Sequence, residues 1–541
     1  MLRITMRLQR IGLIGMTAFG VFYGILQATA YKSAAGTTEA SRAALGQQLE
    51  TFGRSLTYLL PIPQRLDTIG GYMHWRVYGA VPLLFAFWAI MSASGATRGD
   101  EERGLIDEWV SAGAGPWRYI AARFGGFLIA AIVSVAATSA AIDVGAIAAG
   151  SALGTTAVVE QSLAVLAVTL ACYAVVMVVA QFTTTRNAAA GLGGAVVAVL
   201  FFVNSFGRTV DSLKPIARVI SPFYYYDRTN PLVPGGSFDF AGTLGVLVAA
   251  VLLTILAAWL LQTRDLGAPV VKRRAKDAPF TDRPSTNPLL SIPVIAAAYE
   301  QRGGILAWTV GSSLGAVYLA STGRPIVDTL VKGSSAFRNY LTVAGHGDPY
   351  VALTGYFWYG IFVTVLSIYA ITQVSRWSAD DNEGRLEMVL SAPVSRTRVV
   401  LERALTLLID TIVIVAVSSI AFYIAAHAAN INMPVVDVVQ ASVPLIPLAL
   451  SFAAVGALLA SRVPRATVAV LAAIAFLSYL LTELGPLLKL PDWVANLSVF
   501  SLYGNPLTSG IDWTGFSVML AITIAGFGAG AILMRQREVG A

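Results

Sequence analysis

The sequence predicts an all-α integral membrane protein with about 12 transmembrane helices, arranged as two homologous six-helix halves. Three observations lead there: an apolar composition, apolar runs of spanning length along the whole chain, and an internal repeat. The 541 residues are 56% hydrophobic and 12% charged, with mean hydropathy +0.69, whereas a soluble domain carries roughly 25% charged residues. Only a helix satisfies its own backbone hydrogen bonds within one hydrocarbon-crossing segment of about 20 residues.

Spans are predicted near residues 11–31, 77–95, 124–149, 161–183, 187–206 and 241–261, then 305–321, 351–374, 404–428, 436–460, 466–487 and 514–534. The first could be a signal peptide, since Arg3, Arg7 and Arg10 precede it and Ala28-Thr29-Ala30 resembles a cleavage site. Its apolar core exceeds the usual roughly 7 to 15 residues, which favours a retained helix. The division is then a first half at 1–261, a basic Pro-containing linker at 262–303 with an interfacial helix as an option, and a second half at 304–541.

Charge follows this topology. With the N-terminus inside, 24 of the 37 Lys and Arg fall on inner segments, as expected when positive residues resist translocation, so both termini are expected in the cytoplasm. The net charge of +7 thus points to membrane orientation rather than nucleic acid. Lys272, Arg273, Arg274 and Lys276, followed by Pro279, Pro284, Pro288 and Pro293, read as a linker lying against anionic lipid.

Metal and disulfide chemistry are not indicated. Cys172 is the only cysteine, and His74, His346 and His427 stand singly without ligand spacing. Asp143, Asp410, Asp437 and Glu483 lie in or near spans, where ionisable groups are costly and face a cavity or a partner. Asp143 and Asp437 are close enough to span ends to reach water, and Asp410 is expected to pair with a basic neighbour.

The repeat carries most information. Residues 100–123 read DEERGLIDEWVSAGAGPWRYIAAR and residues 380–403 read DDNEGRLEMVLSAPVSRTRVVLER. At one offset Asp100 matches Asp380, Gly104 matches Gly384, Ser111 and Ala112 match Ser391 and Ala392, and Arg118 and Arg123 match Arg398 and Arg403. Ile106, Trp109 and Val110 correspond to Leu386, Val389 and Leu390, and their i, i+3, i+4 spacing makes one apolar face of a short helix. A glycine precedes each helix, and Gly113 or Pro393 breaks it. Weaker echoes pair Gly71-Tyr72 with Gly355-Tyr356, and Ser221, Phe223 and Asn230-Pro231-Leu232 with Ser498, Phe500 and Asn505-Pro506-Leu507. The aromatic stretches Phe223 to Tyr226 and Phe500 to Tyr503 suit a membrane interface, and a short re-entrant segment is an option before the sixth and twelfth spans.

Six spans per half, an acidic residue and glycine ahead of the short helix, and the Ser-Ala-Pro-Val-Ser turn at 391–395 with an arginine three residues on resemble the membrane subunits of type-2 ATP-binding-cassette exporters. The form with both halves in one chain is similar to the actinobacterial antibiotic-export subgroup typified by tetronasin-resistance permeases. Gly113, standing where the second copy has Pro393, departs from the pattern. The resemblance implies a cytoplasmic coupling helix between the second and third spans of each half, docked on a separate ATPase. That ATPase would be present in two copies per chain and would bind the ATP and Mg²⁺. No GxxxxGK[ST] phosphate loop occurs in this chain, so the chain itself is not expected to be an enzyme.

By that resemblance the ATPase-coupling candidates are Asp100, Glu101, Glu102, Arg103, Gly104, Ile106 and Trp109, with Asp380, Asp381, Glu383, Gly384, Arg385, Leu386 and Val389, the charged members forming a rim. Arg118, Arg123, Arg398 and Arg403 are expected to anchor the inner ends of spans, or to touch the ATPase. The substrate path is expected between the halves, with Phe85, Phe87, Trp88, Met91, Phe201, Phe202, Phe357, Trp358 and Phe362 as lining for a hydrophobic or amphipathic compound. Two other readings compete: a proton-coupled secondary transporter, and a membrane-bound lipid transferase. The first lacks an ordered set of membrane carboxylates and the second lacks a catalytic constellation in the outer loops.

Overall fold

The computed structural model describes residues 2–271, 287–333 and 348–536, apart from 37, 56, 58, 59, 209, 383, 392, 464, 465, 489, 490 and 496. Glu383, Ala392, His346, Lys272, Arg273, Arg274, Lys276, Pro279 and Pro284 therefore lie outside the described residues, as does the side chain of Glu483. The chain divides into two compact units, Met1–Pro279 and Phe280–Ala541. Among the described residues all regular structure is helical, and eleven helices are long and apolar enough to cross a membrane. A further helix, Thr467–Leu488, has a shorter apolar stretch at Thr467–Thr482.

In the first unit the helices are α1 (Leu2–Ala35), α2 (Glu39–Ser55), α3 (Ile69–Glu102), α4 (Leu105–Ser111), α5 (Pro116–Ala148), α6 (Thr155–Ala180), α7 (Arg186–Gly207), α8 (Lys214–Ile220), α9 (Pro222–Asp227) and α10 (Phe240–Thr263). Local sequence sets several starts. Thr185 accepts from Ala188 N at 3.2 Å and Asp239 from Gly242 N at 2.9 Å, each satisfying a donor that the first helical turn leaves free. Pro116 opens α5, where its missing N–H costs nothing.

The first helix is an integral part of its unit. A methyl group on Gly20 or Gly24 would collide with Thr138 or Ile142 of α5, and one on Gly126 of α5 would collide with Thr5. Glycines thus let the α1 and α5 backbones approach closely, as small residues do in membrane helix pairs. Lys32 then caps the contact by donating to Ala148 O at 2.7 Å.

The second span is longer than hydropathy suggests. α3 runs through π-helical turns at Met73–Val77 and Gly95–Gly99, carrying His74, Arg98 and Asp100 inside the fold. His74 Nδ1 lies 3.3 Å from Gln161 Oε1. These polar residues marked the ends of the predicted span at 77–95, yet their partners are protein groups rather than water.

The second unit repeats the plan with α11 (Pro293–Glu300), α12 (Arg302–Gly333), α13 (Pro349–Asn382), α14 (Arg385–Leu390), α15 (Arg396–Ala428), α16 (Val435–Ala460), α17 (Thr467–Leu488) and α18 (Trp513–Gln536). Ser395 caps α15 by accepting from Arg398 N at 3.3 Å. α13 has no π-helical turn among its described residues.

In both units the Asn-Pro-Leu loop packs on a glycine of the second span, though not at matched positions, since Gly71, the match of Gly355, faces Gln64 O and Arg65 O. A Cβ on Gly70, next to Gly71, would strike the carbonyl oxygen of Leu232, and one on Gly355 would strike the Leu507 side chain. Each Asn-Pro-Leu loop is pressed onto a glycine of the second span in its own unit. The preceding serines agree as well: Ser221 Oγ donates to Leu200 O at 2.7 Å and Ser498 Oγ to Ser478 O at 2.8 Å. Phe223, Tyr226, Phe500 and Tyr503 are buried, with Tyr226 donating to Tyr78 O at 2.6 Å and Tyr503 to Ala441 O at 2.7 Å. These four rings pack within their units.

Candidate functional site: the twin α4 and α14 helices

Both short helices begin on a glycine in the left-handed region, Gly104 at φ 71° and Gly384 at φ 72°. Only glycine adopts that conformation without steric cost, which accounts for its presence in both copies. Neither glycine has an atom within 4 Å of where a Cβ would stand, so the constraint is the backbone itself. Gly113, at φ 82°, ends the α4 segment. It turns the chain by conformation at the position where the second copy has Pro393.

From that turn each helix presses one apolar side chain inward. Ile106 and Leu386 are buried, and Trp109 packs edge-on against Tyr119 with ring centroids 5.4 Å apart. The outward faces carry Asp107, Glu108 and Val110 on α4, and Glu387, Met388 and Val389 on α14. The apolar stripe is only partly inward: Val110 and Val389 are exposed, Val389 because it borders a cavity under α14 instead of a packed side chain.

The charged candidates separate into two groups. Asp100 is 1% exposed and receives Arg123 Nη2, the Tyr119 hydroxyl at 2.6 Å and Arg103 Nη2 at 2.5 Å. Glu101 is gripped through both oxygens by Arg264 at 2.7 Å, and it also accepts from Arg98 at 2.8 Å and from the Gly267 N–H. Arg98 donates further to the carbonyl oxygens of Ala180, Gln181 and Ala268. Glu102 accepts from the backbone N–H of Arg186 at 2.8 Å. Asp100 and Glu101 therefore do not belong to an exposed rim, because burying them unpaired would cost several kcal/mol and the structure has supplied their cations internally.

Arg123 and Arg403 share this fate. Each lies 23 residues after the aspartate it holds, Arg123 on Asp100 and Arg403 on Asp380, the latter at 3.4 Å. Arg385 also reaches Asp380, at 3.1 Å. Arg403 lies over the Trp377 ring and Arg123 over the Tyr119 ring. Only Arg118 and Arg398 of the four expected anchors are exposed, and Arg398 is bonded to Glu402 at 2.7 Å.

The two ends differ in tightness. Asp380 keeps 38% of its side chain exposed, and Asp381 stands at the position of Glu101 in the repeat. Arg98 is replaced by Ser378. Reading from sequence missed Arg98 and Arg264 altogether, although a lone arginine at the very end of an apolar run was the available signal for each.

The aromatic candidates divide similarly. Phe85, Trp88, Phe201, Trp358 and Phe362 are buried inside their own units. Trp88 packs on Phe127 at 4.9 Å, Phe201 on Phe223 at 5.4 Å and Trp358 on Phe362 at 4.7 Å. Phe87, Met91 and Phe202 are exposed and Phe357 is half-buried. Asp410 bonds the Tyr369 hydroxyl at 3.0 Å rather than a basic side chain.

Two comparisons bear on this arrangement. Residues 290–535 match the family described as "Multidrug efflux system permease Rv1217c, C-terminal domain". The chain is also 27% identical over 485 residues to the multidrug efflux system permease protein Rv1217c of Mycobacterium tuberculosis, an alignment covering 87% of this chain and 83% of that protein.

Proposed function

We propose that this chain, whose residues 290–535 match the C-terminal domain of a multidrug efflux permease, is the transmembrane subunit of an ATP-driven exporter of hydrophobic or amphipathic drugs. It works with a pair of separate ATPase subunits, one at α4 and one at α14, which bind the ATP and Mg²⁺. It resides in the cytoplasmic membrane with both termini inside.

The observation that carries this reading is the matched construction of α4 and α14. Each is a short helix launched from a left-handed glycine. Each is tied at its base by an aspartate to an arginine in the following span. Each presents acidic and apolar side chains outward. A helix fixed rigidly to two spans transmits a push from a bound partner to those spans, whereas a floppy loop would absorb it. The ion pairs are therefore positioning elements, and Asp107, Glu108, Val110, Glu387, Met388 and Val389 form the contact faces.

Affinity purification of the tagged chain from native membranes tests this. Recovery of a soluble ATPase at about two copies per chain supports the exporter. Recovery of the chain alone, with transport that collapses when the proton gradient is removed, supports a secondary transporter, for which the buried Asp410 is the one favouring observation.

A further inference from the structure

Beneath α14 the second unit has a half-open cavity of about 310 Å³ among α11, α13, α14 and α15. The repeat explains why it is there. Where the first unit has Trp109, Tyr119 and Phe127, the second has Val389, Val399 and Leu407. In the first unit those rings fill the space, Trp109 against Tyr119 at 5.4 Å and Phe127 stacked on Tyr173 at 4.1 Å. Three ring positions of the first unit are aliphatic in the second, while Thr97 and Ala89 are matched there by Trp377 and Tyr369, and a cavity remains beside Val389, Val399 and Leu407.

A second exchange gives the opening a chemical character. Ala130 of the first unit corresponds to Asp410 of the second. Asp410 lines the cavity at the end farthest from α14 and is 1% exposed. Its Oδ2 accepts from Tyr369, and its Oδ1 has no hydrogen-bond partner. A buried carboxylate oxygen without a donor is costly. Of the neighbouring charges Arg385 and Arg403 are paired with Asp380 and Glu402 with Arg398, while Arg376, hydrogen-bonded to the neutral Gln301, is the cation whose field reaches Asp410 without bonding it. Arg403 stands two helical turns from Asp410, about 10 Å along the axis. The walls are largely apolar, including Trp377, Leu386, Val399 and Leu407.

We propose that this cavity binds an organic cation with a compact apolar body, its positive head seated on Asp410. A volume of about 310 Å³ sits at the small end of ligand pockets and suits an amine or quaternary nitrogen carried on a compact ring system. The cavity would thereby define one substrate class of the exporter. That role in export rests on the function proposed above, whereas binding itself does not.

The test uses the full-length chain in lipid nanodiscs, titrated by fluorescence with ethidium as the cation and phenanthridine as its neutral counterpart. Asp410→Asn is expected to weaken ethidium at least tenfold and phenanthridine less than twofold. Unchanged ethidium binding, or an equal loss of both probes, overturns the proposal. A second variant, Val399→Tyr with Leu407→Phe, restores the ring plug of the first unit and is expected to abolish binding of both probes. Ethidium binding that survives the plug overturns the proposal even if Asp410→Asn fails to fold. ATPase association of the same preparations is read alongside. Its absence from the wild type would count against the exporter while leaving the binding result intact.

Discussion

Arg123 and Asp100 meet as a fully buried ion pair across 23 residues of sequence, and the Tyr119 hydroxyl completes the aspartate's shell at 2.6 Å. The pair joins the end of the second span to the start of the third at the base of α4. Removing one partner of a buried pair strands the other charge, at a cost of about 3–5 kcal/mol. Arg123→Ala is therefore expected to lower the thermal unfolding midpoint of the detergent-solubilised protein markedly. Its repeat counterpart, Arg403→Ala, should cost about 1 kcal/mol or less, because Asp380 is 38% exposed and water screens it. Equal losses from the two substitutions would contradict the asymmetry.

Glu101 satisfies two buried arginines, Arg98 and Arg264, and it pins the segment after α10 to the end of α3. With Glu101→Gln both guanidinium groups lose their counter-charge. The segment around Gly267 should then become accessible, with faster proteolysis there than in the wild type. A cleavage pattern identical to the wild type would mean that the backbone carbonyls holding Arg98 suffice.

Gly104 and Gly384 are constrained by conformation alone, with open space where a side chain would stand. Substitution by alanine forces a left-handed non-glycine residue, at about 1–2 kcal/mol, while asparagine tolerates that region better. Gly104→Ala and Gly384→Ala should each reduce drug-stimulated ATP hydrolysis by the assembled complex, with the asparagine variants retaining more. Alanine and asparagine variants that behave alike would remove the backbone argument.

Gly355 is a packing glycine, since an added methyl group would meet Leu507. Gly355→Val should destabilise the second unit, and Leu507→Ala in the same chain should recover part of the loss. Failure of the second change to rescue would show that the glycine serves something other than the loop contact.

Much of this was legible in the sequence. The duplication at constant offset located α4 and α14 and their glycines, because helix start signals are local. The ion pairs were not legible as pairs: Asp100 was read as part of a rim and Arg123 as an anchor, and nothing in a separation of 23 residues announces that they touch. The packing of the rings Trp88, Trp358 and Phe362 inside their units was not legible for another reason. A span that is apolar all round gives no hydrophobic face from which to tell core from lining. The exchange of Trp109, Tyr119 and Phe127 for Val389, Val399 and Leu407 was present in the aligned copies, but its meaning as a cavity needed the packing.

The central claim is that α4 and α14 each receive an ATPase subunit. Cys172 is buried and is the only cysteine, so new surface cysteines can be addressed selectively. Glu108→Cys on α4 and Met388→Cys on α14 place thiols on the two exposed faces, and Val219→Cys on α8, 83% exposed, serves as the control. With a maleimide-benzophenone reagent attached to each thiol and photoactivated in native membranes, so that no cysteine is needed on the partner, positions 108 and 388 should each cross-link one ATPase, the double variant two, and position 219 none. Cross-linking from position 219 but from neither helix would contradict the account.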